Sequence, residues 1–160
     1  MKTATVREIK TELSFKNEKE LIEIILRLSK FKKENKELLT YLLYEASNET
    51  AYIQAVEALI MGGFSDINTT SYYYIKKSIR KILRETKKYI RYSGQKSTEV
   101  ELLIIFLEQM IEMEPSFRKS MQMKRLYETQ LNIIHKSLDK LHEDIQFDFE
   151  ERVSFLENQL

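Results

Sequence analysis

His135, Asp139 and His142 stand at i, i+4 and i+7 in HKSLDKLH. On one continuous helix that spacing puts two imidazoles and a carboxylate close to a single face, a donor set suited to Zn²⁺ or a similar ion. Stronger metal signatures are missing. There is no HExxH, and Asp139-Lys-Leu-His142 is only half of the paired Glu-x-x-His pattern of di-iron bundles, with Asp in place of Glu. The apolar stripe of the same segment, Tyr127, Leu131, Ile134, Leu138, Leu141 and Ile145, runs beside both histidines. The plainer reading is two histidines at the flank of a packing face, and no metal or cofactor is expected.

Other chemistry is weaker still. The Ser and Thr residues have no strand-to-helix elbow and no Gly-rich oxyanion loop to activate them. Gly62-Gly63 lacks the spacing and the Lys of a phosphate-binding loop and is expected to end a helix. Phe31, Tyr41, Tyr44 and Tyr52 fall at helical spacing and are expected in the core, not around a small molecule. With no cysteine, disulfides and thiolate chemistry drop out together. The expectation is a non-enzymatic protein with no small-molecule ligand.

Charge is more telling. The stretch 71–94, SYYYIKKSIRKILRETKKYIRYSG, carries eight Lys or Arg, one acid and five Tyr. Extended to Lys96 it has a net charge of +8, so the rest of the chain is −7 against a whole-chain charge of +1. At about 100° per residue the segment divides cleanly. Tyr72, Ile75, Ile79, Ile82, Leu83, Thr86, Tyr89 and Ile90 share one side. Lys76, Lys77, Arg80, Lys81, Arg84, Lys87, Lys88 and Arg91 occupy the other, with Tyr73, Tyr74 and Tyr92 among them and Glu85 at the edge.

Three readings of that face compete. It docks an acidic surface of another protein or of its own second subunit, or is offset by acids such as the six between Glu143 and Glu157. It binds phosphates without regard to sequence, Tyr73 and Tyr74 stacking on bases. Or it lies on a membrane surface, for which it lacks Trp and an apolar stripe free of the core. Docking to an acidic partner is preferred, with nucleic acid as the alternative. The pI near 7.8 is low for a nucleic-acid module, and GGFSDINTT is too long for the turn of a helix-turn-helix.

These residues must be held by helices. Three glycines and one proline in 160 residues leave few turns, so an all-α chain of about seven helices is expected, as one irregular bundle or a short stack of hairpins. Thr5 with Glu8 and Asn17 with Glu20 are capping boxes, Asn48 is an N-cap, and a break falls near 33–35. Thr98 with Glu101 is expected to open a central helix, and Pro115 to start a last one running to at least His142. The tail 143–157 reads as helix. The central helix is apolar nearly all round, and its Glu101, Glu108 and Glu112 are expected as one line of solvent contact.

A single domain over 1–160 is expected, with a hinge at 62–70. ILRLSK (25–30) with ELLTYLL (37–43) parallels ILRETK (82–87) with ELLIIFL (101–107), which suggests a hairpin repeat over 18–46 and 72–112. At LRLSKFKKENKELLTYLLYEA, KSIRKILRETKKYIRYSG and LHEDIQFDFE the chain resembles a group of small all-helical bacterial proteins without an assigned function. That resemblance implies a bacterial helical domain and transfers no residue role. The longest apolar run, LLIIFL, is far short of the roughly 20 residues of a membrane span, and the N-terminus lacks a signal-peptide core. A cytoplasmic location is expected.

Overall fold

Local capping chemistry sets most of the helix boundaries. The computed structural model describes residues 2–160, and among these there are eight α-helices and no strand. In α1 (Val6–Ser14) the Thr5 side chain takes the Glu8 amide while the Glu8 carboxylate takes the Thr5 amide at 2.7 Å. Asn17 and Glu20 repeat that exchange at the start of α2 (Glu18–Phe31). These backbone bonds hold the Glu8 and Glu20 carboxyls below their ordinary range. Lys32 then adopts an extended backbone, separating α2 from α3 (Lys33–Thr40). Asn35 Nδ2 donates to the Leu28 carbonyl at 2.8 Å and closes that corner.

The chain falls into two compact units, Met1–Tyr44 and Glu45–Leu160, where the sequence suggests one domain with a hinge at 62–70. The division lies inside a single π-type turn, Tyr41–Glu45. In the first unit α2 packs on α3, yet among the described residues neither helix, nor α1, buries a side chain fully. Tyr41 is buried as expected, whereas Phe31 and Tyr44 are 77% and 73% exposed and are not core residues.

The second unit is built around α6 (Lys96–Glu112), which buries Val100, Phe106, Met110 and the run Leu102–Leu107. It packs against α4 (Glu49–Ser65), α5 (Tyr72–Ser93), α7 (Met121–Leu138) and α8 (Glu143–Glu157). The continuous apolar circumference of its sequence thus corresponds to neighbours on nearly all sides. The helix begins at Lys96, one turn earlier than the Thr98–Glu101 pair suggests, and Thr98 is buried inside it. Gly94, at φ 69°, supplies the left-handed residue that lets α5 stop and α6 start at once.

Asn48 caps α4 through the Ala51 amide, as expected. Gly62-Gly63 does not end that helix, which continues to Ser65. Packing explains the persistence. A Cβ on Gly63 would meet Ile82 Cγ1 at 3.0 Å, so the missing side chain admits α5 to close range. The contact offsets the weak helix propensity of glycine, which costs about 1 kcal/mol relative to alanine.

The expected last long helix is two helices. Pro115 precedes a 3₁₀ turn, Phe117–Lys119, capped by Ser116, and α7 starts only at Met121. α7 ends at Leu138, and His142 caps α8 by accepting from the Asp144 amide at 3.3 Å. Glu143 and Asp144 in the first turn of α8 suit its positive end. The tail is therefore helical, and its Tyr127-facing end is fixed by Tyr127 Oη donating to the Leu156 carbonyl at 2.9 Å. The second segments of the suggested repeat lie on unlike elements: ELLTYLL belongs to the exposed α3 and its π turn, ELLIIFL to the buried α6.

Candidate docking face on α5

The core face of α5 is the one read from periodicity. Ile75, Ile79, Ile82, Leu83, Thr86 and Ile90 are buried, while Tyr72 and Tyr89 are half-buried. Thr86 satisfies its hydroxyl on the Ile82 carbonyl at 3.0 Å. Two phenols at the border lock the helix in place. Tyr52 Oη donates to the Tyr89 carbonyl at 2.9 Å, and Tyr72 Oη to the Ser116 carbonyl at 3.3 Å.

The eight cations of the opposite side are not equivalent. Lys76 is half-buried and donates to Gln122 Oε1 on α7 at 2.5 Å. Partial burial pushes the Lys87 ammonium below its ordinary range, with nearby Glu99 acting the other way. Lys88 pairs with Glu85 at 2.8 Å and lies over the Tyr89 ring at 4.6 Å from its centre. The remaining five, Lys77, Arg80, Lys81, Arg84 and Arg91, are exposed. Among the described residues none of these five has an ion-pair or hydrogen-bond partner for its side chain.

At about 100° per residue those five fall within an arc of roughly 100°, and Tyr73 and Tyr74 fall within or just beside it. Helical rise spreads the stripe from Tyr73 to Arg91 over about 27 Å. Tyr73 and Tyr74 are 64% and 46% exposed and pack edge to face, ring centres 5.3 Å apart, at the N-terminal end. A shallow depression of about 510 Å³ runs among Tyr73, Lys76, Lys77, Arg80, Lys81 and Arg84.

Beside the stripe lies a second feature that sequence reading does not supply. α4 and α5 leave an open groove of about 410 Å³ whose lining includes Val56, Leu59, Ile60, Gly63, Ile82 and Tyr89. Leu59 is 57% exposed there. Asp66, Lys81 and Glu85 edge the groove, so Lys81 belongs both to it and to the cationic stripe. The signal for it was Gly63: a glycine inside an apolar helical run marks a close helix approach, and the approach shapes the groove.

The acids of α8 do not cover α5. All six between Glu143 and Glu157 are exposed, on a helix packed against α6 and α7. The single Arg of that tail has a different task. Arg152 reaches across to α6, holding Glu108 through two bonds of 2.9 Å and Glu101 through its other terminal nitrogen. Burial works against the guanidinium charge, but the bonds and charges of Glu108 and Glu101 outweigh it and drive its pKa upward. Glu101 and Glu108 are thus half-buried ion-pair partners instead of a line of solvent contact, and only Glu112 of the three stays exposed.

The histidine constellation is taken apart by the break between α7 and α8. His135 stays on α7, 3.2 Å from Glu157, Asp139 is the exposed cap residue of α7, and His142 caps α8 and faces Asp144 at 3.3 Å. Without helix from 139 to 142 the i, i+4, i+7 register does not exist. Among the described residues no group of three His, Cys, Asp or Glu is placed to hold a metal ion, and no helix is long and apolar enough to cross a membrane. Compared with protein-family models, curated proteins and solved structures, the chain shows no match in any of the three.

Proposed function

We propose that this chain is a non-enzymatic, cytoplasmic interaction protein whose α5 face binds an acidic, amphipathic segment of a partner protein. The observation that carries the reading is the adjacency of five unpartnered cations and an apolar groove that share Lys81. Carboxylates of the partner lie along Lys77, Arg80, Arg84 and Arg91, while its apolar side chains enter between α4 and α5. Exposed ion pairs contribute only about 0–1 kcal/mol each, so the groove supplies most of the affinity, while the stripe orients the segment, speeds the encounter and, with three charges reversed, repels it.

A specific feature favours nucleic acid as the second reading: the exposed Tyr73–Tyr74 pair at the end of the stripe offers two ring faces beside phosphate-binding cations. Fluorescence anisotropy separates the two. Labelled single- and double-stranded DNA and RNA are titrated beside a labelled acidic amphipathic helical peptide. The wild type is compared with Leu59→Glu and with Lys77→Glu/Arg84→Glu/Arg91→Glu, all checked by circular dichroism. Docking to an acidic protein predicts peptide binding that both variants abolish. Binding of nucleic acid alone, steeply salt-dependent and untouched by Leu59→Glu, would replace this reading with the second.

A further inference from the structure

The first unit presents more apolar surface than a chain on its own has reason to keep wet. Between Glu18 and Tyr44, nine large apolar side chains are exposed, among them Ile22 (49%), Leu26 (48%), Leu28 (56%) and Phe31 (77%). On α2 the apolar residues span far more than the side turned to α3. Leu21 and Ile24 are half-buried, whereas Ile22, Ile25 and Leu26 point elsewhere or only line the edge. An open groove of about 290 Å³ between the two helices, lined by Ile25, Leu28, Leu38, Leu39 and Leu42, continues that surface.

We infer that the α2–α3 hairpin is a homodimer interface in which α2 packs antiparallel against α2 of a second copy. Charge complementarity points to a second copy as the occupant. At about 100° per residue Phe31 stands opposite Ile22 on α2, so the pairing covers the side of Ile22, Ile25 and Leu26 alone.

Charge then fixes the orientation. In the first half of α2 Glu18, Glu20 and Glu23 outweigh Lys19, and the second half carries Arg27 and Lys30, with Lys32 and Lys33 just beyond. A two-fold axis across the middle of α2 sets the acidic half of each copy on the basic half of the other, and a parallel pairing sets like on like. Glu23 and Lys30, both exposed and seven residues apart, share the flank beside Leu26. In the antiparallel pair Glu23 of one copy faces Lys30 of the other, twice. Patterned in this way, the surface is self-complementary, which a foreign partner does not require.

Sedimentation equilibrium over a micromolar-to-millimolar series tests the inference, using the full chain. The wild type is expected as a dimer. Ile22→Glu/Leu26→Glu is expected as a monomer, with circular dichroism reporting whether the helices remain. Glu23→Lys and Lys30→Glu, exposed changes that do not threaten folding, are each expected to weaken the dimer tenfold or more. Combined in one chain as Glu23→Lys/Lys30→Glu they restore it. The Lys77→Glu/Arg84→Glu/Arg91→Glu variant remains dimeric, because α5 takes no part. A wild type that is monomeric throughout overturns the inference, as does a dimer indifferent to Ile22→Glu/Leu26→Glu. A dimer lost with Ile22→Glu/Leu26→Glu but unmoved by the charge changes overturns the antiparallel arrangement.

Discussion

Replacing Arg152 by Met removes the charge that joins α8 to α6 while keeping a long apolar side chain in its place. Three hydrogen bonds to carboxylates are lost, two of them the parallel pair of 2.9 Å on Glu108. Glu101 and Glu108 are left seven residues apart on one face of α6, with side chains only 23% and 29% exposed. A fully buried pair broken in this way costs about 3–5 kcal/mol and an exposed one about 0–1 kcal/mol. Arg152 is itself 35% exposed, so solvent screening discounts the buried figure, and about 2 kcal/mol is expected. Urea unfolding should show a lower midpoint at unchanged slope, and thermal unfolding a fall of roughly 4–8 °C. Adding Glu101→Gln and Glu108→Gln to Arg152→Met should recover most of the loss, because the uncompensated charge, more than the absent bonds, carries the cost. An Arg152→Met protein within about 0.5 kcal/mol of wild type would mean that the pair is an ordinary surface contact.

Two further predictions follow from α4 and α7. Gly62 has open space where a Cβ would stand, so Gly62→Ala is expected to stabilise by up to about 1 kcal/mol, whereas Gly63→Ala must displace Ile82 and should be the less stable of the two by about 1–2 kcal/mol. Chemical unfolding of the two variants side by side checks the ranking. Burial pushes the Tyr127 hydroxyl up to about 12 from its ordinary 10. Between those values the unfolded chain has given up a proton that the folded one keeps, so stability present below about pH 10 is lost as pH rises, at about 1.4 kcal/mol per unit. Tyr127→Phe should cost about 1 kcal/mol at neutral pH and flatten that alkaline decline, measured by unfolding across the pH series.

Sequence periodicity was legible wherever a helix had one wet and one dry side. All of the α5 core positions and the two capping boxes are found where their local chemistry puts them. Expectation and structure part where tertiary contacts override local rules. Gly63 is tolerated because Ile82 needs its space, and α7 stops because His142 and two acids cap a new helix. Glu101 and Glu108 are a stripe on a wheel, but their partner is the lone Arg in an acidic segment 44–51 residues away. An unmatched Arg among six acids was the signal, and only proximity in space gives it meaning. For the candidate site, the cationic face could be read and the groove could not, since a groove belongs to two helices at once.

The proposed function requires the α5 stripe and the α4–α5 groove to receive an acidic segment together. Amide hydrogen exchange of the full chain, free and saturated with an acidic amphipathic helical peptide, is the decisive experiment. Added protection is expected along α4 and α5 around the groove, lost together with binding in Lys77→Glu/Arg84→Glu/Arg91→Glu. Protection confined to other helices, or binding that survives the triple change, would rule the proposal out.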